Sequence, residues 1–350
     1  MAIDKASFPL YTNDGRPCGK LTVQQEQGIR ALEQAVAENK LRLVENRCLC
    51  GCPPSKDDIV VSEKDRYGLP VPQILCAKCG LIRSGKVFDE ASNNLFYQAY
   101  YRDIYSTHTP TERFFDDQIA TGRRFLDLLQ RFVKLDDVHR VAEVGCGAGG
   151  ILLPFREAGM ETDGYDYGET YLKYGRTKGL SLHQGDFYQL AEDESTDLVI
   201  LSHVLEHFLD PVLEVRRILR KIRPGGYLLV EVPGIFHIHA SYVVILDYFQ
   251  NAHVYNFSQC HLKALFESLG LDVVYGDERC TFICQKRKNA AAAPVVWPEA
   301  SEQVAAYLLD TKRQYWKWKG MEILRWIRHR CVLVANVFGW QKIKQKLNRR

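Results

Sequence analysis

A glycine-rich turn directly after an apolar run most constrains the fold of this 350-residue chain. The run from residue 141 to 144 ends in Gly145, and Gly147 and Gly149 follow at alternate positions. Such a run predicts a buried strand, and glycines let the turn after it bring its backbone close to a ligand. The first N–H groups of the next helix would face the same ligand. The pattern therefore predicts an α/β unit with a nucleotide-like ligand at the turn.

The glycine spacing and the nearby acids narrow the choice of ligand. The spacing is G-x-G-x-G, not the G-x-G-x-x-G of dinucleotide-binding turns. Glu143, just before the turn, would repel a pyrophosphate but could pair with a cationic amino group. Asp166 ends a second predicted strand, in reach of ribose hydroxyls, and Asp186 with Phe187 ends a third, in reach of adenine. Together they predict an adenosine that carries an amino acid, which describes S-adenosylmethionine (SAM).

Five motifs in this order resemble the class I SAM-dependent methyltransferases. They lie between residues 136 and 284 and are Glu143-x-Gly145-x-Gly147-x-Gly149, Gly164-x-Asp166, Gly185-Asp186-Phe187, His203-Val204-Leu205-Glu206-His207 with Asp210-Pro211, and Arg223-Pro224-Gly225-Gly226. The resemblance implies a Rossmann-like α/β fold with a seven-stranded sheet, and SAM as cofactor. A doubly wound domain with a decayed or different nucleotide site is the alternative.

The resemblance also implies which residues contact SAM. Glu143 is expected near the methionine amino group, Asp166 near the ribose and Asp186 near the adenine, while Ser202 and His203 would lie beside the methyl group. The full expected set is Glu143, Gly145, Gly147, Gly149, Asp166, Tyr167, Asp186, Phe187, Ser202 and His203.

Two aromatic residues of that set have a second interpretation. Phe187 either stacks on the adenine or is a core aromatic. Tyr167 either covers the adenine or caps a loop.

Cysteines cluster near the N-terminus in the pattern of a metal site. Cys48, Cys50 and Cys52 crowd one turn, and Cys76-Ala-Lys-Cys79 forms a second knuckle. Four thiolates from two knuckles make a tetrahedral zinc site with no open position for catalysis. We therefore predict a structural Zn²⁺ on Cys48, Cys50, Cys76 and Cys79, with Cys52 as a rival for either of the first two. Free cysteines in a loop-rich region are the alternative.

The knuckles and the aromatic run after them resemble the N-terminal zinc-binding segment of many bacterial methyltransferases that act on sugars. Residues 46–105 carry the resemblance, although the family has C-x-x-C-G in both knuckles and the first knuckle here departs from it. The resemblance implies a sugar acceptor. Tyr100, Tyr101 and Tyr105 would line its binding site or, alternatively, pack the ribbon onto the main domain.

A sugar hydroxyl or carbon acid must lose a proton, and histidine titrates near neutral pH. His253, just before a predicted helix, is the first candidate base. His237 is the second, and it lies after a fifth predicted strand, which follows the Pro224-Gly225-Gly226 turn. His207 lies just after the fourth predicted strand, the apolar run from Asp197 to His203, at the rim where substrates enter such sheets. It either acts as a base or holds its loop by a hydrogen bond. Glu231, at the end of the fifth strand, is a further candidate.

Periodicity and composition outline the remaining organisation. Hydrophobic residues make up 46% of the chain and charged ones 25%, as in ordinary globular proteins. Apolar periodicity predicts helices over residues 22–45, 111–134 and 258–269, the second of which would cover the cofactor cleft. We expect four regions: 1–45, an N-terminal helical segment; 46–110, the zinc-binding segment; 111–288, the SAM methyltransferase domain; and 289–350, a linker and a basic amphipathic helical tail.

The tail is basic and aromatic. From Lys312 to Arg350 it has twelve basic residues and one acid, Glu322. Such a segment binds an anionic membrane surface or a polyanion, or packs on the protein's own acidic body. Because 11 cysteines accompany an N-terminus without a signal-peptide pattern, we expect reduced thiols and a cytoplasmic location. If the tail binds a membrane, the protein would lie peripherally at the inner membrane face.

The sequence thus predicts SAM-dependent methyl transfer to a hydroxyl or carbon of a sugar, which is nucleotide-linked or part of a surface polysaccharide. The expected partner is a small-molecule or glycan acceptor. One alternative is a zinc-containing ribosomal RNA methyltransferase, which the basic tail favours and the acidic body disfavours. Another is a SAM-binding module without catalysis. The sequence leaves the oligomeric state open.

Overall fold

The computed structural model describes residues 5–105, 110–288, 293–317 and 319. Its strands are β1 Leu43–Glu45, β2 Ile59–Ser62, β3 Gln73–Leu75, β4 Ile82–Ser84, β5 Lys86–Phe88, β6 Arg140–Val144, β7 Glu161–Asp166, β8 Ser181–Gln184, β9 Thr196–Ser202, β10 Ile222–Glu231, β11 Tyr255–Asn256, β12 Leu271–Gly276 and β13 Thr281–Lys286. Its α-helices are α1 Val23–Ala37, α2 Glu90–Ala99, α3 Tyr101–Tyr105, α4 Glu112–Gln130, α5 Leu152–Glu157, α6 Glu169–Thr177, α7 Phe187–Leu190, α8 Pro211–Lys221, α9 Ile238–Ser241 and α10 Gln259–Ser268. Residues 301–317 are also helical.

A seven-stranded sheet runs through the centre, in the order β12-β13-β10-β9-β6-β7-β8. Strand β13 is antiparallel to both of its neighbours, and the other pairs are parallel. Alternate residues of β9 enter different hydrophobic clusters, Val199 with Leu201 in one and Leu198 with Ile200 in the other. The sheet is therefore buried on both faces, as parallel sheets are. This confirms the predicted Rossmann-like α/β fold with seven strands.

The predicted helices are present but end earlier than expected. Helix α1 begins after a capping box at Thr22 and stops at Ala37, because the chain then turns into β1, which pairs with β5. Helix α4 stops at Gln130, four residues before the predicted end. Helix α10 follows a capping box at Ser258 and ends before Gly270, whose φ of +84° suits a helix terminus.

A second, four-stranded sheet joins the N-terminal part of the chain to the central body. Strands β2, β3 and β4 pair antiparallel in sequence order, and β11 adds the fourth strand, with Tyr255 opposite Arg83 and Asn256 opposite Ile82. We call β2, β3, β4 and β11 the cysteine-bearing sheet, because a cysteine knuckle connects β3 to β4. The knuckle cysteines share a hydrophobic cluster with residues of α10.

The C-terminal helical residues 301–317 pack against the same body. Val304 and Leu308 are fully buried in a cluster with Ile235 and Ile238, and Lys312 Nζ donates to the carbonyl of Leu10 at 2.6 Å. The rest of the predicted basic tail, residue 318 and residues 320–350, lies outside the described residues, as do residues 289–292 of the predicted linker. Among the helices described, none has the length and apolar character that crossing a membrane requires.

Candidate active site

The glycine turn lies where the sequence places it, directly after β6. Gly145 and Gly147 have φ of +70° and +56°, in the left-handed region that favours glycine. The Gly145 N–H donates to the Tyr165 carbonyl at 2.8 Å. A Cβ added at Gly145 would lie 2.7 Å from Cγ2 of Val204, so a larger residue would displace the neighbouring strand end.

Glu143 is buried beside this turn. Its side chain is 1% exposed, and its Oε2 has no hydrogen-bond partner among the described residues. Burial, assisted by the nearby charge of Asp166, raises the pKa of Glu143 well above its ordinary value. Because buried polar atoms are rarely left unpaired, this oxygen indicates a site that receives a hydrogen-bonding or cationic group. The methionine amino group of SAM fits that requirement.

Asp166, at the end of β7, is already engaged by three donors. It accepts from the N–H groups of Gly147 at 2.9 Å and Gly168 at 2.6 Å, and from Arg102 Nη2 at 3.1 Å. The Arg102 guanidinium also lies 3.9 Å from the ring centroid of Tyr171. Sequence reasoning missed Arg102, because it lies in the N-terminal aromatic run and no motif marks it.

The three residues expected near the adenine, Asp186, Phe187 and Tyr167, differ in their contacts and exposure. Asp186 caps α7 by accepting from the N–H of Tyr188 at 2.7 Å. Phe187 is 2% exposed and packs edge-on against Tyr165, with ring centroids 5.1 Å apart, which favours the core interpretation. Tyr167 is 62% exposed and available to cover a ligand.

Helix α4 covers the glycine turn, as expected from the sequence. Gln118 makes the contact with both ends of its amide: Nε2 donates to the Cys146 carbonyl at 3.1 Å, and Oε1 accepts from the Gly150 N–H at 3.2 Å. The sequence carries no signal for this role, because a glutamine on an amphipathic helix is ordinary.

The end of β9 supplies the other side of the cleft. Ser202 is half-buried and pairs with Glu231 in the sheet register. His203 has φ of +55°, a strained value for a residue other than glycine, and its N–H donates to the Glu231 carbonyl at 2.8 Å. This conformation brings Nδ1 of His203 to 3.4 Å from Oε1 of Glu206.

Glu206 is the centre of a cluster that we call the Glu206 group, formed with His203, His207 and His253. Glu206 is 1% exposed, and neither of its carboxylate oxygens has a hydrogen-bond partner among the described residues. Burial alone would raise its pKa, but the contact with His203 and the positive charge that the neighbouring histidines carry when protonated lower the pKa of Glu206 to about 2. The sequence motif contains Glu206, but our predicted site residues did not include it.

His253 is the most buried histidine of this group. It is 3% exposed, its Nε2 lies 2.6 Å from Nε2 of Gln250, and its Nδ1 has no partner among the described residues. Nε2 also lies 3.8 Å from Oε1 of Glu206. Burial lowers the pKa of His253 well below its ordinary value, although the charge of Glu206 opposes this. The ring is therefore neutral at pH 7, the state a base requires.

His207 holds its loop and faces aromatic rings. Its Nδ1 donates to the Ala252 carbonyl at 2.9 Å, which is the hydrogen-bonding alternative considered from the sequence. The rings of Tyr97 and Tyr101 pack edge-on against it at 6.0 and 6.1 Å, and Tyr105 stacks on Tyr101 at 4.9 Å. The aromatic run therefore forms a wall beside the Glu206 group. Glu206, His207 and His253 have ligand atoms within 4.8 Å of one another, a donor set that also suits a divalent cation.

Two other candidate bases are not part of this group. His237 follows β10 in a short helical turn, with its ring 6.3 Å from that of His239, and none of its described contacts reaches Glu206. Both carboxylate oxygens of Glu231 accept from Arg124, at 2.8 and 2.7 Å. This bidentate ion pair engages both oxygens of Glu231 in a contact between α4 and β10.

The cysteines of the two knuckles converge. Cys48 Sγ lies 3.4 Å from the sulfurs of both Cys79 and Cys50, and Cys50 Sγ lies 3.7 Å from that of Cys76. A tetrahedral zinc with Zn–S bonds of about 2.3 Å separates its sulfurs by about 3.8 Å. All four sulfurs lie within 4.8 Å of one another, and Cys52 is not in this set. The donor set fits Zn²⁺.

The central part of the chain is similar to known methyltransferases. Residues 115–275 match a family model described as a methyltransferase domain. The chain is 28% identical over 154 residues to a probable S-adenosylmethionine-dependent methyltransferase of Mycolicibacterium smegmatis, which covers 43% of the chain and 59% of that relative. It is 33% identical over 98 residues to a ubiquinone biosynthesis O-methyltransferase of Bordetella avium. This match covers 26% of the chain and 41% of that relative.

A solved SAM-dependent methyltransferase of Archaeoglobus fulgidus matches with 23% identity and a TM-score of 0.39, over 51% of this chain and 75% of that one. The chain spans about half the length of the curated relatives it matches. The residues that match the family model, 115–275, include the glycine turn and the Glu206 group, and this match supports a SAM-dependent methyltransferase domain there.

Proposed function

We propose that this protein is a SAM-dependent methyltransferase that acts on a hydroxyl or carbon of a sugar. One observation carries the methyl-transfer part of the proposal: two buried carboxylates, Glu143 and Glu206, have oxygens without a hydrogen-bond partner among the described residues, and they lie in or after neighbouring strands. Glu143 lies in β6, and Glu206 follows β9, which pairs with β6 in parallel. Ligands of open α/β sheets bind at this carboxyl edge, so a cofactor at one carboxylate meets an acceptor at the other.

The cofactor half of the site is formed by the glycine turn and the two acids beside it. Glu143 would bind the methionine amino group, the backbone from Gly145 to Gly149 would line the cofactor, and Asp166 would bind the ribose hydroxyls. Bound SAM supplies a methyl group already activated by its positive sulfur. Arg102 donates to Oδ1 of Asp166, whereas the Gly147 N–H of the glycine turn donates to Oδ2.

The acceptor half is formed by the Glu206 group and the tyrosine wall. Nδ1 of His253, neutral at pH 7, would take the proton from the acceptor oxygen or carbon as the methyl group leaves the sulfur of SAM and bonds to that atom. Glu206, ionised and adjacent, would stabilise the resulting imidazolium. Tyr97 and Tyr101 would hold the acceptor in line with the methyl group, and alignment contributes much of the rate in such transfers.

Two observations support a sugar as the acceptor. The cysteine knuckles followed by an aromatic run resemble the segment carried by methyltransferases that act on sugars, and aromatic rings bind sugar faces. The ubiquinone biosynthesis relative agrees with a small-molecule acceptor and carries no information about a sugar. The RNA alternative depends mainly on the basic tail, most of which lies outside the described residues.

The test is incubation with tritiated SAM and fractionated small molecules, polysaccharide and RNA. We expect label in a sugar-containing fraction, and we expect His253→Gln to lower the rate about 100-fold or more, as loss of a general base does. His139→Gln is the matched control, because His139 is exposed at the opposite end of β6. Label in RNA would replace the sugar proposal, and SAM binding without any labelled product would favour a non-catalytic module.

We also propose that the cysteine cluster holds one structural Zn²⁺. Metal analysis of the purified protein should then give one zinc per chain. Cys50→Ser and Cys76→Ser should lose it, because each removes one of four thiolates, whereas Cys52→Ser should keep it. Retention of zinc by Cys50→Ser together with its loss in Cys52→Ser would show that Cys52 is the ligand.

A further inference from the structure

The loop that carries His253 is bonded to the cysteine-bearing sheet. Ser84, in β4, is fully buried, and its Oγ donates to the carbonyl of His253 at 2.8 Å. The Ser84 N–H donates to the carbonyl of the next residue, Val254, at 3.0 Å. One residue of β4 thus binds two successive carbonyls of the loop.

The chain after His253 continues directly into this sheet as β11. Besides the β4–β11 pairing, Tyr255 Oη donates to Oδ1 of Asn46 at 3.1 Å, and Nδ2 of Asn256 donates to Oε1 of Gln73 at 3.3 Å. All these partners belong to the N-terminal part of the chain. The backbone of His253 is therefore positioned by residues far from it in sequence.

The second cysteine knuckle determines where β4 begins. It is the turn between β3 and β4, closed by hydrogen bonds from the Gly80 N–H to the Cys76 carbonyl and from the Cys76 N–H to the Leu81 carbonyl, each 3.0 Å. Nε2 of the buried His261, in α10, lies 2.9 Å from the Cys79 carbonyl. A displacement of the knuckle would therefore move β4 and, through Ser84, the His253 loop.

We propose that Ser84 is a positioning residue for His253, and that metal in the cysteine cluster thereby sets the geometry of the acceptor half of the site. The inference rests on the proposed role of His253. The glycine turn is held by other residues, namely Tyr165, Asp166 and Gln118. Loosening the cysteine-bearing sheet should therefore impair transfer while SAM still binds.

The experiment compares Ser84→Ala with Ser62→Ala in the full chain. Both serines are fully buried in the cysteine-bearing sheet, and both donate to a backbone carbonyl, but Ser62 bonds to Lys64 rather than to the His253 loop. We expect Ser84→Ala to lower kcat by about 10- to 100-fold, because a displaced catalytic group loses alignment. SAM affinity should change by less than about threefold, and Ser62→Ala should change neither.

Hydrogen–deuterium exchange supplies a readout that does not depend on activity. Exchange of a peptide covering residues 250–258 should accelerate in Ser84→Ala, and also in the full-length protein after zinc is removed with a chelator. A peptide covering the glycine turn, residues 143–150, should exchange at the wild-type rate in both cases.

The outcomes separate this inference from the proposed function. An inactive His253→Gln with a fully active Ser84→Ala and an unchanged exchange rate would overturn the inference and leave the function intact. A fully active His253→Gln would instead remove the proposed base. Equal loss of SAM affinity and kcat in Ser84→Ala would show a general structural effect and would also overturn the inference.

Discussion

At the residue scale, the binding of SAM should change the protonation of Glu143. Its pKa is raised well above the ordinary value by burial and by Asp166, so in the free protein the carboxyl keeps its proton to a higher pH than an exposed glutamate does. A cationic amino group beside it would favour the ionised form, so binding should release up to one proton.

Calorimetry of SAM binding in buffers of different ionisation enthalpy measures this release. Glu143→Gln should abolish it and weaken binding by about 10- to 100-fold, the loss of one charge-assisted hydrogen bond. Proton release that persists in Glu143→Gln would assign it to another group.

His253 sets the expected pH dependence. Burial holds its pKa well below the ordinary 6.5, so the ring loses its proton at a lower pH than a free histidine does. Activity should therefore already be complete at pH 6.5 and fall only in more acidic solution, which a profile of kcat/KM measures. An acid limb centred above pH 6.5 would contradict this assignment.

At the scale of elements, helix α4 is joined to strand β10 by the Arg124–Glu231 pair. Burial would raise the pKa of Glu231, but the bonds from Arg124 and Thr281 hold it below the ordinary 4.5. A lowered folded-state pKa gives stability that is present above pH 4.5 and is lost as the pH falls through the folded value.

Arg124→Met should thus lower the free energy of unfolding by about 2 kcal/mol at pH 7, because it leaves a buried carboxylate less well paired. The difference should shrink at pH 4, as denaturant titrations at both values would show. Arg123→Met, on the exposed face of the same helix, should have almost no effect at either pH.

The elements also show what sequence reasoning can reach. Apolar strands followed by acids and glycines predicted the sheet, because those patterns depend on local chemistry. Leu43 was assigned to a helix instead of β1, because strand pairing with a distant β5 overrides local periodicity. Arg102 and Gln118 were missed for the same reason: each acquires its role only through contacts with residues distant in sequence.

At the scale of the whole molecule, truncation of the C-terminal segment tests two interpretations of the basic tail: that it binds a membrane, or that it packs on the protein's own body. A chain that ends at residue 298 loses the buried Val304 and Leu308, at a cost of about 4 kcal/mol. A chain that ends at residue 319 keeps every contact described here, and its melting temperature should equal that of the full chain.

If the tail binds membranes, only the full chain should sediment with vesicles that contain anionic lipid. A lower melting temperature of the 319-residue chain would show instead that the tail packs on the protein's own body.

The pairing of β4 with β11 also has a consequence for biosynthesis. The strand that pairs with residues 82–84 lies about 170 residues later in the chain. At a synthesis rate of about 5–20 residues per second, the ribosome needs roughly 10 to 30 seconds to produce it. During that time β4 has an open edge of the kind that recruits other strands. Zinc bound early by the nascent knuckles would keep β3 and β4 folded together while this edge is open, so the yield of folded protein should depend on the zinc available during translation.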